Sequence, residues 1–276
     1  MNNIVNDIIK SQATCYFISP HFDDAAYSAG ALITELSKTN KVIIINIFTE
    51  SDNSKNTYMA KKYLKKWGYA NADSLYNDRL TEDSSALGLI SDKIINMSFT
   101  EVLWRQKTKL RYNLLPFISN ELNATYSTAR LLMKPGEIAR ADNVIVNSIK
   151  ESLLGLITKE NAVIFCPLAQ GRHVDHLIAR KVCDELFTNL IYWSDYPYNL
   201  EHSIEKADES LNEYKFEKNL KFKEELVKKY KTQYEFVIKD NPVDQLVEYF
   251  YASSKSLDEL SNDRVYSSKL NKLQKV

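Results

Sequence analysis

Three of the four histidines in the chain fall in two short stretches, and both stretches carry aspartates. The first is Ile18-Ser19-Pro20-His21-Phe22-Asp23-Asp24, which follows an apolar run from Cys15 and precedes a helix-like pattern over residues 25–36. The second is Gly171-Arg172-His173-Val174-Asp175-His176, which follows an apolar run over 162–168 and precedes a helix-like pattern over 177–187. Pro20 cannot continue a strand ladder, and Asp23 and Asp24 stand where a first helical turn offers unpaired N–H groups and partial positive charge. An Asp-capped helix beside an exposed histidine would account for the first stretch alone. The same strand–motif–helix pattern twice in one chain argues instead for one composite site.

A catalytic zinc ion takes three protein ligands from histidine and carboxylate and leaves a position for water. His21, Asp24 and one of His173 or His176 supply that set. Water on such an ion becomes acidic enough for a nearby base to make it a nucleophile, and Asp23, beside a ligand, is placed for that work. The remaining histidine is free to polarise or protonate the group attacked, with Asp175 next to it to orient the ring. This constellation hydrolyses amides or esters. Two readings from other classes share the residues: a non-catalytic sugar- or metal-binding module, and a magnesium-dependent phosphoryl-transfer enzyme with Asp23 and Asp24 as oxygen ligands. Histidine-rich sets suit zinc better than magnesium.

The elements that must carry these residues alternate strand and helix. Residues 2–10 suit a short helix, 14–18 a strand apolar on both faces, 25–36 a helix with small residues Ala26, Ser28, Ala29, Gly30 and Ala31, and 42–48 a second buried strand. Ligands of open parallel sheets bind outside the carboxyl ends of the strands, where the first motif falls. No Gly-x-Gly-x-x-Gly follows the first strand, which argues against a dinucleotide. Helices over 54–67 and 77–87 close at Gly68 and Gly88, and a short strand follows over 93–97. The stretch 100–135 has no clean period and reads as loops and short helices. A long helix over 137–157, strands over 162–166 and 190–193, a charged helical stretch over 212–231, a strand over 234–238 and a helix begun by Pro242 complete the reading. The fold class is α/β: one Rossmann-like domain over 1–276 with a mostly parallel sheet flanked by helices, a core over about 14–198 and an elaboration over 199–276.

The 276 residues include 44% hydrophobic residues, 36 basic and 36 acidic. That size sustains a proper core, and the charge balance gives no footprint for nucleic acid or an anionic membrane surface. Three cysteines beside apolar segments read as reduced, and neither a targeting pattern nor a membrane span is visible, so a cytoplasmic protein is expected.

Ser19-Pro20-His21-Phe22-Asp23-Asp24 resembles the His-x-Asp-Asp signature, and His173-Val174-Asp175-His176 the His-x-Asp-His signature, of the PIG-L/LmbE-like zinc-dependent deacetylases. Arg79-Leu80-Thr81-Glu82-Asp83 before Ala86-Leu87-Gly88 is similar to that family's arginine-bearing helix. Residues 167–172 and Asp195-Tyr196-Pro197-Tyr198 resemble segments of a bacterial branch. The resemblance implies zinc held by His21, Asp24 and His176, Asp23 as general base, His173 at the oxyanion or as proton donor, and Asp175 orienting His173. It also implies an N-acetylglucosamine-type amino-sugar group joined to a lipid, a thiol precursor or an antibiotic as substrate, with release of acetate. The lack of a membrane segment weakens the lipid-linked version, and an antibiotic precursor of the aminoglycoside or glycopeptide kind is the expectation, with a thiol-cofactor precursor and a cell-wall or chitin fragment as alternatives. Many members have Pro and Glu where this chain has Phe22 and Ala25, and neither change removes an implied ligand. Arg79, Gln170, Arg172, Tyr196 and Tyr198 are the candidate substrate contacts. Arg79 could instead pair with Glu82 or Asp83 on its own helix, and most of the 17 tyrosines serve packing.

Overall fold

Apolar runs that show no alternation form strands buried on both faces. In the computed structural model, which describes residues 2–107, 112, 115–158, 161–205, 208, 210–238 and 246–254, such runs make the centre of the sheet. β1 (Thr14–Ser19) and β4 (Ala162–Pro167) lie side by side with Phe17 opposite Phe165, their rings stacked at 4.3 Å. β2 (Val42–Glu50) and β3 (Lys93–Thr100) extend the sheet on one side, and β5 (Leu190–Trp193), β7 (Glu248–Ala252) and β6 (Asn212–Phe216) on the other. The order is β3-β2-β1-β4-β5-β7-β6, parallel from β3 to β5 and antiparallel at β5–β7 and β7–β6. From β1 the chain moves to β2 on one side, and β4 is laid down on the other. The carboxyl ends of β1 and β4 therefore flank the switch point where such sheets bind ligands.

Helices cover both faces. α1 (Asn2–Ser11), α2 (Asp24–Leu36) and α9 (Leu220–Val227) share one cluster with Phe17, Phe165, Trp193 and Phe250. α7 (Asn143–Leu156) and α8 (Val174–Leu186) share the other with Tyr16, Ile18, Ile43 and Ile45. α3 (Tyr58–Lys66) and α4 (Ala72–Leu87) connect β2 to β3, α5 (Pro116–Asn123) and α6 (Thr128–Met133) precede α7, and α10 (Lys231–Ile238) follows α9. The architecture is a single α/β domain with a seven-stranded, mostly parallel sheet. Among the described residues no helix is long and apolar enough to cross a membrane.

The departures from expectation lie at boundaries and in the C-terminal part. α4 starts five residues before the expected 77, where the Asn71 side chain accepts from the Ser74 N–H. The helix expected over 137–157 begins only at Asn143, after a 3-10 turn at Arg140–Asp142. Residues 212–231 divide into β6 and α9 rather than forming one helix. The strand expected over 234–238 is the second half of α10, whose N-terminus is tied to α4 by Thr232. β7 was not expected, and a helix begun by Pro242 lies outside the described residues.

One buried ion pair fastens the C-terminal strands to α2. The Glu248 carboxylate accepts from the Ala31 and Leu32 N–H groups at 2.7 and 2.9 Å and lies 3.0 Å from the Lys223 ammonium. Lys223 also donates to the Leu246 carbonyl at 2.9 Å, and both side chains are essentially inaccessible. Breaking such a pair from one side leaves the other charge buried. Glu248→Ala is therefore expected to cost about 3–5 kcal/mol of folding stability, read as a lower urea midpoint with an unchanged slope.

Candidate functional site

Asp24, the first residue of α2, reaches back over the turn that leaves β1. Its Oδ2 accepts from the His21 N–H at 2.9 Å and lies 3.1 Å from His21 Nδ1 and 3.3 Å from His176 Nε2. Ser19 braces the turn by donating to the His21 carbonyl at 2.7 Å and accepting from the Ala25 N–H at 3.1 Å. His176 comes from the first turn of α8, beyond β4. Between β4 and α8 the chain passes through three left-handed residues, Ala169 (φ 62°), Gly171 (φ 73°) and Arg172 (φ 56°), which swing it from strand to helix within a few residues. A Cβ on Gly171 would lie 2.5 Å from the Tyr198 ring, so glycine there lets Tyr198 close against this loop. The His21 and His176 ring centroids are 5.4 Å apart, so the two motifs make one site.

Each of these two imidazoles has its other nitrogen on an outer carboxylate. His176 Nδ1 lies 2.7 Å from Asp195 Oδ1, and His21 Nε2 lies 3.2 Å from Asp175 Oδ2. Asp195 stands just past β5 and also accepts from the Gln170 N–H at 3.1 Å, so three adjacent strand ends contribute. Asp175 is fixed in turn by the Val102 N–H at 3.0 Å and by the Arg105 guanidinium. Arg105, which is fully buried, also reaches Asp142 at 2.8 Å and so connects the site to the start of α7. The expected partnership of Asp175 with His173 is thus replaced by one with His21. Asp175 stands two residues after His173, in the first turn of α8, on the side where His21 and Arg105 stand.

His173 is the histidine left over. Its ring packs edge-on to His21 at 5.0 Å and to His176 at 5.3 Å, and its Nδ1 has no hydrogen-bond partner among the described residues. Burial, reinforced by the neighbouring His21, lowers its pKa to about 3 and keeps the ring neutral. His176 behaves oppositely: burial works against its charge, but Asp24 and Asp195 outweigh it and raise the pKa to about 10. Burial likewise opposes the charge of His21, yet Asp175 and Asp24 raise its pKa well above the ordinary value. For Asp24 burial favours protonation, and the two imidazoles, His176 foremost, hold it well below the usual range. Burial and then the Asp24 charge push Asp23 up to about 6.

These groups floor a cavity of about 610 Å³. Asp23 lines it, with Oδ2 accepting from the Gln233 amide at 2.5 Å. Arg79 lines it as well, buried, its guanidinium 4.4 Å from the Trp67 ring centre and 3.8 Å from the Glu101 carboxylate. The acids of its own helix are engaged elsewhere, Glu82 with Thr232 and Asp83 with Tyr230 and Asn46. Glu101, pushed up to about 7 by burial, accepts from the Tyr76 hydroxyl. Tyr196 lies buried against Tyr27, the rings 6.1 Å apart, and Tyr198 meets His176 edge-on at 5.6 Å, both on the cavity wall. Two expected contacts are turned away from it. The Gln170 amide is used by the His202 carbonyl and the Ser194 hydroxyl, and Arg172, half exposed, bonds Glu205 and the Gly136 carbonyl.

Glu101, Arg105 and Gln233 were not singled out from the sequence, and Asp195 was named only within a segment resembling a bacterial branch, with no role. Asp195 had a usable signal, since it follows an apolar run as His21 does. Glu101 and Arg105 stand in the stretch without a period, and Gln233 in the segment misread as leading into a strand.

The donor set matches a divalent cation. One nitrogen from each of His21, His173 and His176 lies within 4.8 Å of the others, and Asp24 Oδ2 sits against two of them. Asp24, Asp175 and Asp195 surround the imidazoles, with the Arg105 guanidinium bonded to Asp175, an excess of negative charge that draws protons onto His21 and His176 and that a dication would neutralise.

Among curated proteins no sequence matches this chain significantly. Among solved structures, a zinc-inhibited form of the teicoplanin deacetylase Orf2 superposes with a TM-score of 0.67 at 17% identity, covering 87% of this chain and 97% of that one. The A40926 pseudoaglycone deacetylase Dbv21 gives 0.61 at 18% identity with the same coverage. At these identities the likeness concerns the fold. Residues 16–187, which carry both histidine motifs and four of the five parallel strands with little of β1 omitted, match the family PIG-L, GlcNAc-PI de-N-acetylase, and the chain belongs to that family of de-N-acetylases.

Proposed function

We propose that the protein is a zinc-dependent hydrolase that removes the acetyl group from an N-acetylglucosamine-type sugar carried on a larger conjugate. One observation carries the reading: His21 and His176, each held by an outer carboxylate, aim their other nitrogens at one Asp24 oxygen, beside a carboxylate and a neutral imidazole that are left free to act. In this reading His21, Asp24 and His176 hold the metal. His173, which has no outer carboxylate, is kept for the substrate. When bound there, zinc supplies a Lewis acid that polarises a carbonyl and acidifies a water.

The chain's own groups then complete an amide hydrolysis. Asp23 takes a proton from the attacking water as its oxygen adds to the acetyl carbon. His173, neutral, donates its N–H to the oxyanion of the tetrahedral intermediate. The C–N bond breaks as the protonated Asp23 returns its proton to the leaving amine, giving acetate and the free amino sugar. Arg79 on its Trp67 platform and Tyr198, both lining the cavity, offer polar and aromatic surface for a sugar ring. A cavity of about 610 Å³ has room beyond one such ring, and the apolar rim at Leu131, Leu132 and Phe236 suits a less polar aglycone. The structural neighbours named for teicoplanin and A40926 pseudoaglycone deacetylation support a glycoconjugate of secondary metabolism.

Acetate release from a panel of N-acetylglucosaminides, with and without a chelator, tests the reaction: the zinc-loaded protein is expected to deacetylate at least one member and to lose that activity on chelation. A protein that binds such glycosides yet releases no acetate would favour a binding module. Separating ligands from base tests the residue roles. Asp23→Asn should retain zinc and lose turnover by about 10²–10⁴-fold, whereas His21→Ala and Asp24→Ala should lose the metal itself. Equal zinc loss in all three would mean Asp23 is a ligand. Asp195→Ala removes the carboxylate behind His176 and is expected to weaken zinc affinity by about 10–100-fold, measured by competition with a chromogenic chelator.

A further inference from the structure

The proposed base is held from a part of the chain that lies beyond the family match. α10 begins at Lys231, whereas the match ends at residue 187. The start of this helix is clamped to α4: the Thr232 N–H and hydroxyl donate to the Glu82 carboxylate at 2.9 and 2.7 Å, and the Tyr230 hydroxyl donates to Asp83 at 2.9 Å. The clamp sets Gln233, 9% exposed, on the cavity wall, where its amide donates to Asp23 Oδ2 at 2.5 Å. Asp23 occupies the N-cap position of α2 but its carboxylate takes no capping bond from that helix. Without Gln233 the side chain would be free to rotate towards the orphan N–H groups of the first turn.

We propose that Gln233 is a positioning residue for Asp23: its N–H fixes Oδ2 and so directs Oδ1 to the place of the attacking water. This rests on the deacetylase reading above. The chemistry of the holder fits the task, because an amide orients a carboxylate without adding a charge that would make it a weaker base. The buried Oε1 of Gln233 has no partner among the described residues, so this amide is not there to satisfy itself within the fold. The same contact gives the segment after β5 a part in catalysis: it brings a donor from the far end of the chain to a residue on the first β–α turn.

Gln233→Met keeps length and bulk but removes the donor. It is expected to lower kcat on the order of 10²-fold, the effect of misplacing a reacting group by about 1 Å, with KM and zinc content unchanged and Tm lowered only by the loss of this one hydrogen bond. A thermal double-mutant cycle on Asp23→Ala and Gln233→Ala should be non-additive whether or not a substrate is known. Unchanged kcat in Gln233→Met, a loss of kcat that follows loss of zinc, or an additive cycle overturns the proposal. A wild type that releases no acetate from any N-acetyl sugar overturns the deacetylase reading instead, and the cycle then decides the Asp23–Gln233 contact by itself.

Discussion

One carboxylate oxygen, Asp24 Oδ2, sits against the His21 backbone N–H, the His21 ring and the His176 ring, all within 3.3 Å. The two rings come from loops far apart in sequence, and they can meet on one atom because β1 and β4 are hydrogen-bonded neighbours in a parallel sheet. Parallel neighbours end at the same edge, so a residue placed just after each strand is delivered to the same crevice. The rest of the structure serves that meeting: stacked Phe17 and Phe165 fix the register of the strands, and small residues on α2 let the helix that carries Asp24 lie close under the sheet.

Bringing that much negative charge out of water is costly unless each group is bonded. The structure meets the cost in layers. The imidazoles are held by Asp175 and Asp195, Asp175 is held by Arg105 and the Val102 N–H, and Arg105 is held by Asp142 and the Thr100 carbonyl. Such outer bonds fix the tautomer and heading of each ring. They also set His173 apart from the other two, since its Nδ1 has no hydrogen-bond partner among the described residues and burial lowers its pKa to about 3.

The central strands and both motifs were legible because they are local facts of composition. A run such as Val42-Ile43-Ile44-Ile45 is a buried strand in nearly any context, and a histidine between such a run and a helix stands at a strand end by construction. What escaped was set by tertiary contact. Asp175 stands only two residues from His173 in sequence but bonds His21, since direction within a helical turn, not nearness along the chain, decides what a side chain meets. Gln170 and Arg172 adjoin the histidine motif yet face Ser194, His202 and Glu205, because three left-handed residues turn the loop. Glu101 and Arg105 carry no periodic signal, and their significance appears only once β3 is placed beside β2.

The C-terminal part shows most plainly how context overrides local preference. Tyr234 to Ile238 has the β-branched and aromatic content of a strand, and forms helix because Thr232 and Tyr230 tie the preceding turn to acids on α4. Glu248 and Lys223 are charged residues that a sequence reading leaves at the surface, and they are buried as a pair that joins β7 and α9 to α2. Both contacts end on elements that hold the site: α4 bears Arg79, and α2 bears Asp24 with Asp23 at its cap. The segment after β5 therefore does not merely extend the sheet. It closes the helices over the strand ends and contributes Gln233 and Phe236 to the cavity wall.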